Sequence, residues 1–143
     1  MDQTLQPATG PAKPIREDRG LTPEERPEPS RILIVEDEVV VAMLIEDMVA
    51  ELGYAVGGVA SRVADGISLV ERDSFDFAIL DVHLAGKEVF PLAELLLKRG
   101  IPFMFATAFG ARGIPPAYLQ YPVLQKPFSS LELKRALLRL QQH

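Results

Sequence analysis

The 143-residue chain contains no cysteine, so disulfide scaffolds, thiolate metal sites and cysteine nucleophiles are all excluded. Long apolar runs are missing too. No stretch approaches the roughly 20 residues that a membrane-spanning helix requires, and the N-terminus lacks the charged and apolar segments of a signal peptide. A cytoplasmic location is the expectation. Basic residues are not in excess: 15 Lys and Arg stand against 20 Asp and Glu, for a formal net charge of −5. A nucleic-acid groove needs clustered Lys and Arg to displace counterions from phosphates. The expected partners are therefore proteins, with no nucleic acid and no membrane among them.

What the chain does have is enough apolar material, 48% of its residues, to build the core of one domain. Composition changes near Ser30. Residues 1–29 hold six of the twelve prolines, mixed charges and few large apolar groups. Such a segment cannot bury enough surface to offset chain entropy, so a disordered proline-rich tail is expected there. Residues 30–143 form the domain.

From Arg31 onward strand-like and helix-like blocks alternate, the pattern of an α/β protein with a parallel sheet. Strands are predicted over 31–35, 54–60, 75–80, 101–106 and 123–125. Helices are predicted after Val35, where Val41, Leu44, Ile45, Met48 and Leu52 recur at helical spacing up to Gly53, and over 62–71 and 88–99. The stretch 110–122 carries Gly113, Pro115, Pro116 and Pro122, so any helix in it must be short or irregular. The last helix opens with Ser129 and Glu132 in capping-box spacing and buries Leu133, Ala136, Leu137 and Leu140. Five strands, about five helices and no internal repeat suit a flavodoxin-like doubly wound five-stranded parallel sheet of order 2-1-3-4-5.

Four short stretches each follow one of these apolar strands: Glu36-Asp37-Glu38, Asp81, Thr107 and Lys126-Pro127. The carboxyl ends of parallel strands converge, so residues distant in sequence meet at one site. Glu36, Asp37 and Asp81 would place three carboxylates together, and their repulsion calls for a cation. Magnesium suits them, being hard and bound through one or two carboxylates plus a phosphoryl oxygen. The backbone carbonyl of His83 is placed to add a ligand. A carboxylate can attack phosphorus to give an acyl phosphate, and Lys126 and the Thr107 hydroxyl are suitable neighbours for the transferred group. Each piece alone has an ordinary explanation. An Asp after a strand is often a turn residue, Thr in a strand a packing residue, and an acidic run a complement to a helix N-terminus. Their joint placement at the same end of four strands favours a composite site.

On Ile32-Leu33-Ile34-Val35-Glu36-Asp37, Asp81, Thr107-Ala108 and Lys126-Pro127-Phe128 the chain resembles the receiver domain of bacterial two-component response regulators. The resemblance runs over about residues 31–141 and makes residues 30–143 a receiver domain. It implies that Asp81 accepts phosphate from a sensor histidine kinase, that Glu36 and Asp37 hold Mg2+, that Thr107 is the switch hydroxyl and that Lys126 contacts the phosphoryl group. The activity implied is that of a phosphoacceptor signalling domain, not an enzyme acting on a separate substrate. No output domain follows the last helix, so a single-domain regulator is expected. It would signal through a downstream protein partner or exchange phosphate with a histidine phosphotransfer protein.

Phe105-Ala106-Thr107-Ala108-Phe109 further resembles the Phe-Ala-Thr-Gly-Tyr signature of the FAT GUY branch, with Ala108 and Phe109 as departures. Val123 stands where receivers usually carry an aromatic switch, and Ala85 where they usually carry proline. Phe109 is a candidate substitute reporter. The alternatives are a phosphorylation-independent adaptor and an aspartyl-phosphate phosphohydrolase resembling haloacid dehalogenase phosphatases. The latter needs a second Asp where this chain has His83. A signal is expected to leave through 110–122, the last strand and the second stripe of the last helix, Leu131, Arg135 and Leu138.

Overall fold

The computed structural model describes residues 28–142. The expected tail lies outside the described residues except for Glu28 and Pro29, which are exposed and belong to no helix or strand. From Arg31 the chain runs through β1 (Arg31–Val35), α1 (Val39–Glu51), β2 (Ala55–Ala60), α2 (Val63–Arg72) and β3 (Phe77–Asp81). A small hairpin, β4 (His83–Leu84) and β5 (Lys87–Glu88), then precedes α3 (Phe90–Lys98), β6 (Phe103–Thr107), β7 (Val123–Gln125) and α4 (Ser130–Gln141). The main sheet has the order β2-β1-β3-β6-β7, with every neighbouring pair parallel. Counted by its own strands in chain order, this is the expected 2-1-3-4-5 arrangement.

Successive strand residues point to opposite faces, and β1 shows how this divides the core. Ile32 and Ile34 join Ile45 and Val49 of α1 and Leu133 and Leu137 of α4. Leu33 and Val35 join Val70 of α2 and Leu92 and Leu96 of α3. Helices cover both faces, which is why the central strands read as unbroken apolar runs. At Gly66, where α2 meets α3, a Cβ would stand 2.7 Å from Leu92 Cδ2. Glycine there lets the two helices close over the sheet.

Among the described residues, four α-helices and one 3-10 turn, Pro116–Tyr118, stand where about five helices were expected. Prolines at 115, 116 and 122 remove the backbone donors that a longer helix needs. Ring stacking holds this irregular stretch instead, with Tyr118 on Phe90 at 5.4 Å and Tyr121 on Phe103 at 4.4 Å. The capping box of α4 is present: Glu132 N–H donates to Ser129 Oγ at 3.1 Å and Ser129 N–H to Glu132 Oε1 at 2.9 Å. Leu133, Ala136, Leu137 and Leu140 are buried as expected, while Leu131 and Arg135 are exposed and Leu138 half-buried.

The first helix keeps most of its expected face, with Ile45 buried and Val41, Met48 and Leu52 packed partly buried against the core. Its buried residues are Ala42, Ile45 and Val49, and Leu44 is exposed. Apolar residues surround the first two turns of α1, so periodicity alone does not choose between stripes. The third helix starts at Phe90 instead of residue 88 because the hairpin takes up His83 to Glu88.

That hairpin turns through Ala85 at φ 49° and Gly86 at φ 83°. Proline, fixed near φ −65°, cannot occupy position 85. Nor could it donate the backbone N–H that Ala85 gives to Asp37 Oδ2 at 3.0 Å. Ala85→Gly should therefore stabilise the protein by about 1 kcal/mol, by relieving left-handed strain at a non-glycine residue. Ala85→Pro should destabilise it by about 3 kcal/mol or more. Urea unfolding of both variants checks this, and a proline variant as stable as wild type would contradict the turn geometry.

Candidate functional site

The site forms at the carboxyl edge of the main sheet because β1, β3, β6 and β7 end there side by side. Asp81 is the last residue of β3 and Thr107 the last of β6, and the register pairs Asp81 with Ala106. Glu36 and Asp37 follow β1 directly, and Lys126 follows β7. Apolar strands of matched register thus deliver acids, hydroxyl and amine to one edge. Among the described residues, Glu36, Asp37 and Asp81 bring one carboxylate oxygen each to within 4.8 Å of one another.

Lys126 binds two of these acids. Its ammonium donates to Glu36 Oε1 at 2.9 Å and lies 3.4 Å from Asp81 Oδ2. Its backbone N–H donates to the Thr107 carbonyl at 2.8 Å, tying the lysine to the end of β6. Glu36 is 2% exposed, and its other oxygen accepts the Glu38 N–H at 3.1 Å. Asp37 is half-buried, its carboxylate fixed by the Ala85 N–H. None of the three acids of residues 36–38 lies in the first turn of α1, and Glu38, the residue before it, makes no side-chain cap. An acidic run serving only to complement the helix would sit inside that turn.

Burial decides the protonation chemistry. Asp81 is 7% exposed. Loss of solvent, followed by the negative charge of Glu36, pushes its carboxyl from the ordinary 3.8 up to about 6, although Lys126 pulls the other way. For Lys126, burial draws the pKa down, but the hydrogen bond to Glu36 and the charges of Asp81 and Glu36 outweigh it and hold the ammonium above its ordinary range. The cation is therefore secure. Three carboxylates against one ammonium leave an excess of negative charge, and oxygen donors of this kind suit a hard divalent ion.

Thr107 is almost fully buried, and its Oγ1 accepts the Phe109 N–H at 3.2 Å. His83 opens the hairpin two residues beyond Asp81, with its side chain exposed. Its ring meets the Phe109 ring edge to face, 5.9 Å between centroids and 84° between planes. Two parts of the site escaped sequence reasoning: the Ala85 N–H on Asp37, and the contact between His83 and Phe109. The signal for the first was an Ala-Gly pair shortly after a strand. The second had none, since the expected sheet order sets the two loops side by side but not the loop conformations that bring the rings into contact.

The response regulator receiver domain family matches residues 32–138. The transcriptional regulatory protein PdtaR of Mycobacterium tuberculosis (strain CDC 1551 / Oshkosh) is 32% identical over 111 residues, covering 73% of this chain and 53% of that protein. The chain thus spans about half the length of the curated relatives it matches. SdrG from Sphingomonas melonis Fr1 is 41% identical with a TM-score of 0.72, covering 78% of this chain and 95% of that one. A BeF3-activated conformation of SdrG, from Pseudomonas melonis Fr1, superposes with a TM-score of 0.70 over 80% of this chain and 98% of that one, at 41% identity. The receiver domain of the sensor histidine kinase PA1611 from Pseudomonas aeruginosa PAO1, solved with magnesium in its active-site cleft, is 26% identical with a TM-score of 0.67. That alignment covers 80% of this chain and 99% of the other.

The raised affinity of Asp81 for its proton has a consequence for stability in metal-free protein. Between about pH 4 and pH 6 the folded state holds more protons than the unfolded one, so this group's contribution is full below 3.8 and is lost as pH rises through about 6. Asp81→Asn should remove that loss and stabilise the metal-free protein by about 3 kcal/mol at neutral pH. Denaturant unfolding at pH 4 to 8 in the presence of a chelator checks it. An Asn variant with the pH dependence of wild type would contradict the assignment of burial as the cause.

Proposed function

The chain belongs to the response regulator receiver domain family, and on that premise we propose that it accepts a phosphoryl group from a sensor histidine kinase on Asp81. The observation that carries this reading is the buried Asp81 carboxylate, 3.4 Å from the Lys126 ammonium and inside the acidic cluster with Glu36 and Asp37. In the transfer, an Asp81 oxygen attacks phosphorus, the new O–P bond forms, and the P–N bond to the donor imidazole breaks with its electrons passing to nitrogen. Lys126 supplies positive charge to the phosphoryl oxygens. The Thr107 hydroxyl, held at its oxygen by the Phe109 N–H, is free to donate its own hydrogen toward them.

Glu36, Asp37 and Asp81, with the His83 carbonyl, would hold the magnesium ion. When bound, the ion supplies charge against the phosphoryl oxygens. The excess of carboxylates over ammonium supports this, as does the magnesium in the cleft of the PA1611 receiver. The BeF3-activated form of SdrG supports phosphorylation as the switch. The Phe105 to Phe109 motif supports membership of the FAT GUY branch. Phosphorylation would then change contacts with a downstream protein through 110–122, β7 and the exposed side of α4, or feed exchange with a histidine phosphotransfer protein. Leu119 and Leu131 are exposed apolar residues on that side.

Incubation with an autophosphorylated histidine kinase should give an alkali-labile acyl phosphate that requires magnesium and is absent from Asp81→Asn. Lys126→Ala should slow its formation by about 100-fold, the cost of removing one preorganised electrostatic group. Undiminished labelling of Asp81→Asn would overturn the assignment.

A further inference from the structure

We propose that α1 and α4 form a self-complementary face on which a second copy of this chain docks, with α1 of each copy against α4 of the other. The pairing goes beyond the phosphoacceptor reading and does not depend on it. Its starting point is where the exposed apolar groups fall. Of the nine large apolar side chains exposed among the described residues, four lie together on α1 as Val39, Val40, Met43 and Leu44. Val39 and Val40 are 73% and 71% exposed. Apolar surface gathered at one place in this way marks a site of contact with another protein.

Charge indicates what covers it. The second half of α1 turns acidic, with Asp47 and Glu51 exposed and four residues apart, and no basic residue stands in the last turn. Like charges at that spacing repel, and acids at a helix C-terminus oppose its dipole. The surface of α4 carries the opposite sign. It opens with exposed Leu131 and continues into exposed Arg135 and Arg139, again four residues apart. Among the described residues, none of these four charged groups is in an ion pair. Each helix lacks the charge that the other has in excess.

The fold sets the two helices side by side and leaves their outer stripes open. Both bury their inner stripes on the same face of the sheet. They follow β1 and β7, which run parallel in one sheet, so they cross that face in the same direction. At their starts they flank a cleft of about 340 Å³ whose walls include Val41, Leu44 and Met48 of α1 and Pro127 and Phe128 ahead of α4. Near their ends Gln141 donates to the Tyr54 hydroxyl at 3.0 Å. One copy thus shows a helix that is apolar and then acidic beside one that is apolar and then basic. A closed dimer requires the same patch on both copies. A two-fold axis along the helices lays α1 over α4 of the second copy in the same direction. The apolar starts then meet at the cleft, and Asp47 and Glu51 meet Arg135 and Arg139. An axis across the helices would instead lay α1 on α1 in opposite directions, setting acidic ends on apolar starts. Complementarity selects the first arrangement. Leu131 also borders the surface assigned above to a downstream protein, so the two contacts compete there.

The test is sedimentation equilibrium of the full, unphosphorylated chain over a range of concentrations. Wild type should form a dimer that weakens as salt is raised. The variants Asp47→Lys/Glu51→Lys and Arg135→Glu/Arg139→Glu change only exposed positions, which leaves the fold intact. Each should raise the dimer dissociation constant by about 10- to 100-fold, because like charges then face each other in both contacts. An equal mixture of the two variants should dimerise as wild type does, since every contact between unlike copies again joins opposite charges. Heterodimer formation also shows that both variants are folded. A wild type that stays monomeric would overturn the pairing and leave this face to a different protein. A dimer that neither variant weakens, or a mixture that associates no better than its components, would overturn it as well. None of these outcomes bears on phosphorylation of Asp81, which is read separately from acyl phosphate formation.

Discussion

Lys126 holds together charges that would otherwise repel. Its ammonium reaches Glu36 at 2.9 Å and Asp81 at 3.4 Å, and both acids are buried against the ends of apolar strands. Removing carboxylates from water is costly without a paired charge and hydrogen bonds. One ammonium serves two buried acids here, and Asp37 adds a third carboxylate within 4.8 Å. The imbalance leaves Asp81 reluctant to lose its proton and leaves the cluster suited to further positive charge. A phosphoacceptor needs that combination, a carboxylate within reach of an amine in a site that takes up a cation.

The fold supplies the precision this arrangement demands. All five residues of β3 and all five of β6 are buried, so Asp81 and Thr107 sit at the ends of strands packed on both faces. The Lys126 N–H bond to the Thr107 carbonyl and the Ala85 N–H bond to Asp37 complete the frame. Charged groups are therefore placed by backbone as well as by side-chain pairing. Beyond Thr107 the order is of another kind. The stretch to Val123 is held by stacked rings around Tyr118 and Tyr121 and by turn hydrogen bonds between residues three apart, outside any strand or α-helix. Such a segment can rearrange at lower cost than a strand or helix.

Most of this was legible in the sequence wherever one physical signal acted alone. Strand β1 and the stripe of α4 followed from periodicity and from the Ser129 and Glu132 cap. The convergence of Glu36, Asp37, Asp81 and Lys126 followed from the geometry of parallel strands. Legibility failed where signals overlapped or were distant. On α1, apolar residues on several sides let one member of the expected stripe, Leu44, fall outside the core that Val41, Ile45, Met48 and Leu52 meet. The hairpin after Asp81 escaped notice because its two-residue strands are too short for periodicity. Position 85 read only as a missing proline until its φ of 49° supplied the reason.

The central claim is that Glu36, Asp37 and Asp81 form a divalent-cation site whose excess negative charge the ion relieves. The most direct measurement is the unfolding free energy of the full chain as magnesium is titrated, for wild type and for Asp37→Asn. An ion bound only by the folded state stabilises it by mass action. The account predicts a saturable rise in stability for wild type and a marked weakening of that rise in Asp37→Asn. Wild-type stability that does not respond to magnesium, or an equal response in both proteins, would contradict it.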